Sequence, residues 1–194
     1  MHDLEGAVRW LRAEGPRLGL PTERVGIRGA SAGAYLGSLL ALTEGDDELE
    51  GTGGGNLEQS SAVQAVVHWF GQCDLLASGS RSAVEARLVP FAVEAGLLGV
   101  SSLVEATDRA RARSLLPCVS SQAPPFLIGH GDRDHVVAPS DGQALHDALS
   151  RAGADTSFVL VGGAGHEGPE FHRPAVLAMT AAWLRAELTG PVPS

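Results

Sequence analysis

The chain has 194 residues, 44% of them hydrophobic and 19% charged, with 14 basic against 23 acidic side chains for a net charge of −9. This is enough material for one domain with a real core, and the scarcity of clustered positive charge argues against nucleic acid or an anionic membrane as the main partner. All 14 basic residues are arginines. The absence of lysine removes Schiff-base chemistry, a Walker-type lysine on a nucleotide, and a Ser–Lys dyad.

Leu4, Ala7, Val8 and Leu11 repeat at helical spacing, so the chain opens in an amphipathic helix ending near Gly15–Pro16. Arg24–Arg28 reads as a short strand running into Gly-Ala-Ser-Ala-Gly at 29–33, followed by a helical pattern through Tyr35, Leu36, Leu39, Leu40 and Leu42. Residues 43–61 are acidic and then glycine-rich, and read as a surface loop. A phosphate cradle is the rival reading of Gly51–Gly55. It lacks a leading strand, a following Gly-Lys-Ser/Thr and a helix opening on it.

The run Ala62–Phe70 is largely apolar and β-branched, as in a strand covered on both faces. Residues 76–116 read as two or three short helices: Val84–Val89, Phe91–Leu98 and Leu103–Leu116. Phe126–Ile128 is a buried strand ending at His130–Gly131, and Ser140 looks like the N-cap of a helix carrying Ala144, Leu145, Ala148 and Leu149. A last strand at Thr156–Val161 ends in Gly-Gly-Ala-Gly-His166. A closing helix then runs from Pro174 to Leu188, with Val176, Leu177, Met179, Ala182 and Trp183 for its apolar side. Strands alternating with helices imply a parallel sheet with helices on both faces, whose functional groups sit at the carboxyl ends of the strands.

Those ends carry Ser31, Gln72–Asp74, Asp132–Asp134 and His166. Gly-x-Ser-x-Gly between a strand and a helix is the pattern of a nucleophile elbow: the serine occupies a strained turn, and the N–H of Ala32 faces the position of a developing oxyanion. A serine needs a base, and the base a carboxylate. Ser31, then Asp132 or Asp134, then His166 supplies them in the order Ser, Asp, His. His172 is the fallback base and Asp74 an alternative acid. His2, His68, His135 and His146 read as surface or packing residues. His130, Asp132, Asp134 and His135 also admit a metal-cluster reading, against which stands the lack of a second ligand pair at metal spacing. The expectation is no metal and no cofactor. Cys73 and Cys118 form no C-x-x-C pair and read as reduced thiols. No apolar run reaches ~18 residues and no basic leader precedes one, so the reading is a cytoplasmic protein rather than a secreted or membrane-bound one.

At these residues the sequence resembles the α/β-hydrolase superfamily, and within it the feruloyl-esterase-like, lipase/esterase-type bacterial serine hydrolases. The resemblance rests on AVRWLRAEGPRLGLPTERVGIRGASAGAYLGSLLAL, VQAVVHWFGQCDLL, PPFLIGHGDRDHVVAPS and GAGHEGPEF. It implies Ser31 as nucleophile, Asp134, the aspartate of His-Gly-x-x-Asp, as acid, and His166 as base. Departures fall at Ala34, Gln72–Cys73 and Ala138, none of which removes a catalytic group. Trp69, Phe70 and a helical insert at about 76–116, with Phe91, Leu97 and Leu98, would form an apolar substrate-binding lid. Members resembling this chain begin further upstream, with strands and a His-Gly-Gly motif that completes the oxyanion hole. The chain 1–194 is therefore expected to be one α/β-hydrolase domain, incomplete at its N-terminal side, with the strand near 24–28 left as an edge. The expected activity is hydrolysis of a small-molecule carboxylic ester through an acyl-enzyme. A prolyl-oligopeptidase-type peptidase with the same triad is one alternative. A catalytically impaired hydrolase fold acting as a non-enzymatic module is the other.

Overall fold

The computed structural model describes residues 1–46, 49–76 and 93–189. Helix α1 spans His2–Glu14 and strand β1 Gly26–Ala30; α2 is Ala32–Leu42, β2 Ala65–Trp69, α3 Val93–Leu97 and α4 Thr107–Ala112. Strand β3, Phe126–Gly131, α5, Pro139–Ala152, β4, Thr156–Val161, and α6, Pro174–Thr189, complete the order. The four strands form one parallel sheet in the order β1-β2-β3-β4, with Arg28 beside Val67, Val67 beside Leu127, and Leu127 beside Ser157. Among the described residues β1 pairs on one side only.

The period-two alternation of the central strands divides the core. Val66, Phe126 and Ile128 face Val8 of α1, Tyr35, Leu39 and Leu40 of α2, and Leu145 and Leu149 of α5. Val67, Trp69 and Leu127 face the other way, toward Val176, Met179, Trp183 and Leu184 of α6. Helices thus cover both faces, and β2 and β3 are buried along their whole length. Gly129 is required by this packing, because a Cβ there would run into the Trp69 ring. Both cysteines are free thiols, Cys73 buried and Cys118 half-buried.

The glycine-rich loop is tied to α1 through its carbonyls. Buried Arg9 donates to the carbonyls of Gly51 (3.0 Å), Gly53 (2.8 Å) and Gly55 (3.2 Å) and pairs with Glu50 at 2.7 Å. A phosphate cradle presents N–H groups; here carbonyls converge on a cation.

The structure departs from the sequence reading in several places. Helix α5 begins at Pro139 with Ala138 at its cap, so Ser140 is not the cap: the fixed φ of proline is already helical and starts the helix earlier. The helix expected over Leu103–Leu116 is a 3-10 turn at Leu103–Ala106, α4, and a second 3-10 turn at Leu116–Cys118. The α-helix stops at Ala112, where the capping residue Arg113 leaves helical geometry at φ −103° and ψ 1°. On α6 Leu177 is exposed and Leu184 turns inward instead. The expected helix at Val84–Val89 lies outside the described residues, and the one at Phe91–Leu98 is described from Val93 and ends at Leu97. No described helix is long and apolar enough to cross a membrane.

Candidate active site

Ser31 sits between the last residue of β1 and the first of α2, with φ +52° and ψ −123°. Its N–H donates to the carbonyl of Trp69 at 2.9 Å, which continues the β1–β2 ladder into the turn. Gly29 permits this geometry, because a Cβ on it would collide with the Gly33 carbonyl. Gly33 plays no matching steric part, since nothing lies within 4 Å of the Cβ it lacks. Ala32 is the first helical residue, and its N–H falls among the donors that a helix N-terminus leaves without an intrahelical partner.

Ser31 Oγ lies 2.9 Å from His166 Nε2, and His166 Nδ1 lies 2.8 Å from Asp134 Oδ2. An ionised carboxylate only accepts, so Nδ1 carries the proton and Nε2 is free to accept from Ser31. Asp134 is buried, and burial alone would raise its carboxyl. Hydrogen bonds from His130, His166 and the N–H groups of Val136 and Val137 outweigh that and hold it well below the usual carboxylate range. The carboxylate is therefore charged across the neutral range.

The two aspartates that the motif left open have separate duties. Asp132 Oδ1 accepts from the N–H of Gly163 at 2.7 Å and so anchors the loop that carries His166, while Asp134 holds the ring. Arg133 N–H adds a bond to the Ala164 carbonyl at 2.9 Å. Asp74 lies elsewhere, accepting from Ser114 Oγ and from the N–H of Leu76. His172 and His135 are exposed, and His68 is a core residue between Ser38 Oγ (2.8 Å) and the Gly71 carbonyl (3.0 Å). Its burial lowers its pKa to about 4, so it stays neutral.

His130 was read in the sequence as half of a His-Gly pair and as a member of the rival metal cluster, and was given no part in the triad. It is fully buried, its Nε2 donating to the Val137 carbonyl at 2.9 Å and lying 3.4 Å from Asp134 Oδ2. Phe171 was also missed: it stands 4.6 Å from Phe70, whose ring meets His166 at 5.0 Å edge-on. Positive φ at the non-glycine residues Ser31, Phe70 and Glu167 concentrates backbone strain around the same point.

An apolar cavity of about 180 Å³ opens beside Ser31 and Ala32, with Tyr35, Leu36, Leu75 and Leu97 among its walls. Leu98 lines a neighbouring cavity. Trp69, expected at the substrate, is instead buried on the α6 face against Phe171, because it alternates with His68 along β2. Phe70 touches His166 but is not among the described cavity residues, and Phe91 lies outside the described residues.

A parallel sheet clad on both faces, with Ser, Asp and His at its carboxyl edge in that chain order, is the α/β-hydrolase fold. The chain belongs to the BD-FAE family, whose match covers residues 1–149 and so includes Ser31 and Asp134 but stops before His166. Among curated proteins it is 31% identical to Esterase LipQ of Mycobacterium tuberculosis over 79% of this chain and 35% of that protein. It is 28% identical to the probable carboxylic ester hydrolase LipM of the same organism over 76% of this chain and 32% of LipM. The chain thus spans about a third of the length of these relatives. Among solved structures, a truncated carbohydrate esterase from gut microbiota superposes with a TM-score of 0.81 at 27% identity, covering 97% of this chain and 68% of that one. The propionate-bound esterase Est2 of Thermogutta terrifontis superposes at 0.70 with 24% identity, covering 100% and 66%, a likeness of fold.

Proposed function

We propose that this chain is a carboxylic ester hydrolase that works through an acyl-enzyme. Ser31 Oγ attacks the ester carbonyl carbon as its proton passes to His166 Nε2. Asp134 keeps Nδ1 protonated and stabilises the imidazolium that forms. The carbonyl oxygen, now an oxyanion, accepts a hydrogen bond from the N–H of Ala32. Collapse breaks the ester C–O bond, and the leaving alkoxide takes the proton from Nε2. Water then repeats the sequence on the acyl-enzyme, with His166 as base, to release the acid and restore Ser31.

The observation that carries this reading is the continuous relay of 2.9 Å and 2.8 Å from Ser31 through His166 to a charged, buried carboxylate. The relatives, an esterase and a probable carboxylic ester hydrolase, support the choice of esters. Intact-mass analysis after exposure to a fluorophosphonate tests it without a guess at the substrate. One adduct on the wild type, absent in Ser31→Ala at unchanged circular dichroism, is expected. A folded wild type that forms no adduct overturns the reading.

A further inference from the structure

We infer that the cavity beside Ser31 is the acyl pocket and that Leu97 sets the length of the acyl chain it takes, an inference that rests on the hydrolase reading above. Direction follows from the chemistry. The leaving oxygen must come within reach of His166 Nε2, so the alcohol extends toward His166 and Phe70. The cavity touches Ser31 and Ala32, whereas His166 is not among the described residues that line it. It therefore receives the other half of the ester.

Its walls select the kind of acyl group. Tyr35, Leu36, Leu75, Leu97, Val136 and Val137 present carbon to the interior. The one hydroxyl among them is turned away, since Tyr35 Oη donates to the Arg113 carbonyl at 2.7 Å, and burial pushes the phenol up to about 12. Gln72 and Glu94 add polar wall. At roughly 30 Å³ for each water-sized group, about 180 Å³ holds roughly six, which suits an unbranched apolar acyl chain of about four to six carbons.

A second cavity of about 170 Å³ adjoins it, walled by Met1, Leu39, Leu49, Leu98 and Arg113, and it shares Tyr35, Leu36 and Leu97 with the first. Those three residues are the partition. Tyr35 and Leu36 sit on the first turn of α2, locked to Ser31, and Tyr35 is 3% exposed. Leu97 ends the five-residue helix α3 and is 50% exposed, so it is the one member that can be trimmed without opening the core. Its removal joins the two cavities and roughly doubles the space for a chain.

The test is kcat/KM for p-nitrophenyl esters from acetyl to dodecanoyl on the wild type, Leu97→Ala and Leu97→Trp. A parallel series of acetates carries alcohols of increasing length. The wild type should peak at four to six acyl carbons. Leu97→Ala should raise the decanoyl-to-butyryl ratio by ~10-fold, the scale of a methylene-sized discrimination in an apolar pocket. Leu97→Trp should move the peak toward acetyl. Identical acyl profiles in three active proteins overturn the inference while leaving the hydrolase reading intact. So does a shift that appears only in the alcohol series. Turnover of no ester, with no fluorophosphonate adduct on Ser31, removes the hydrolase reading itself and the inference with it.

Discussion

Asp134→Asn isolates the part of the relay that geometry alone can argue. Asp134 Oδ1 accepts from the N–H groups of Val136 (2.8 Å) and Val137 (3.0 Å), while Oδ2 faces His166 Nδ1 at 2.8 Å. An asparagine is nearly the same shape, but its two ends are no longer equivalent. The two backbone donors demand the carbonyl at the Oδ1 position, which forces the amide NH₂ onto His166 Nδ1. That nitrogen must then be the unprotonated one, and the proton moves to Nε2, which can no longer accept from Ser31. Loss of the right tautomer costs ~10³–10⁴-fold in kcat in triads of this kind, or about 4–5.5 kcal/mol of barrier. The fold should survive, because both backbone bonds are kept. The assay is kcat on a p-nitrophenyl butyrate at neutral pH, with thermal unfolding alongside. Activity within ~10-fold of wild type in a folded Asp134→Asn protein would refute the assignment of Asp134 as the residue that orients His166.

The same carboxylate makes stability depend on acid. Its folded pKa lies below the unfolded value near 4, so its contribution is complete above that value and drains away as pH falls through the folded pKa. Urea titrations should therefore show the stability gap between wild type and Asp134→Asn shrinking from pH 7 toward pH 2; a constant gap counts against the linkage. Gly29→Ala should lower kcat/KM by at least ~10²-fold and lower Tm, because its Cβ meets the Gly33 carbonyl. Gly33→Ala, with open space around it, should leave Tm nearly unchanged. Equal effects of the two would contradict the elbow geometry. Arg9→Ala strips the cation from three loop carbonyls and Glu50, for about 3 kcal/mol and a Tm lower by roughly 6–12 °C; calorimetry showing no change would mean the loop is held by other contacts.

The parallel sheet was legible because period is a local property. AVVHW at Ala65–Trp69 and FLIGHG at Phe126–Gly131 lie between two helical layers, so every position is buried and each strand shows as an apolar run. β1 was harder to bound. Among the described residues it pairs on one side only, its residues are half-buried or exposed, and the sequence reading set it two residues early. The breaks after Ala106 and Ala112 carry no proline or glycine to announce them, and the helical spacing of Leu103–Leu116 hid them. The exposed Leu177 and inward Leu184 on α6 could not be sorted from composition, since a helix rich in Ala and Leu carries little moment to say which side faces the sheet.

The site divides along the same line. Ser31 and His166 were readable from their glycine-rich surroundings, because a sharp turn after a strand needs small residues whichever fold contains it. Spacing alone left Asp132 and Asp134 open and only the family resemblance favoured Asp134, since both follow β3 and it is the three-dimensional path of the 162–166 loop that brings one to Gly163 and the other to the imidazole. His130 was invisible for a related reason. Its Nε2 bonds the Val137 carbonyl seven residues on and lies 3.4 Å from Asp134 Oδ2, which closes the acid loop and sets Val136 and Val137 where their N–H groups meet Oδ1. The orientation that makes asparagine a poor substitute at 134 is thus imposed partly by a histidine that touches neither Ser31 nor His166 among the described bonds. If that chain of cause holds, His130→Leu should relax the ordering of the 131–137 loop and reduce kcat, with Asp134 still present. His130→Gln, whose amide nitrogen can take the place of Nε2, should recover part of the loss. Equal kcat for the leucine and glutamine variants would mean that the buried ring only fills space.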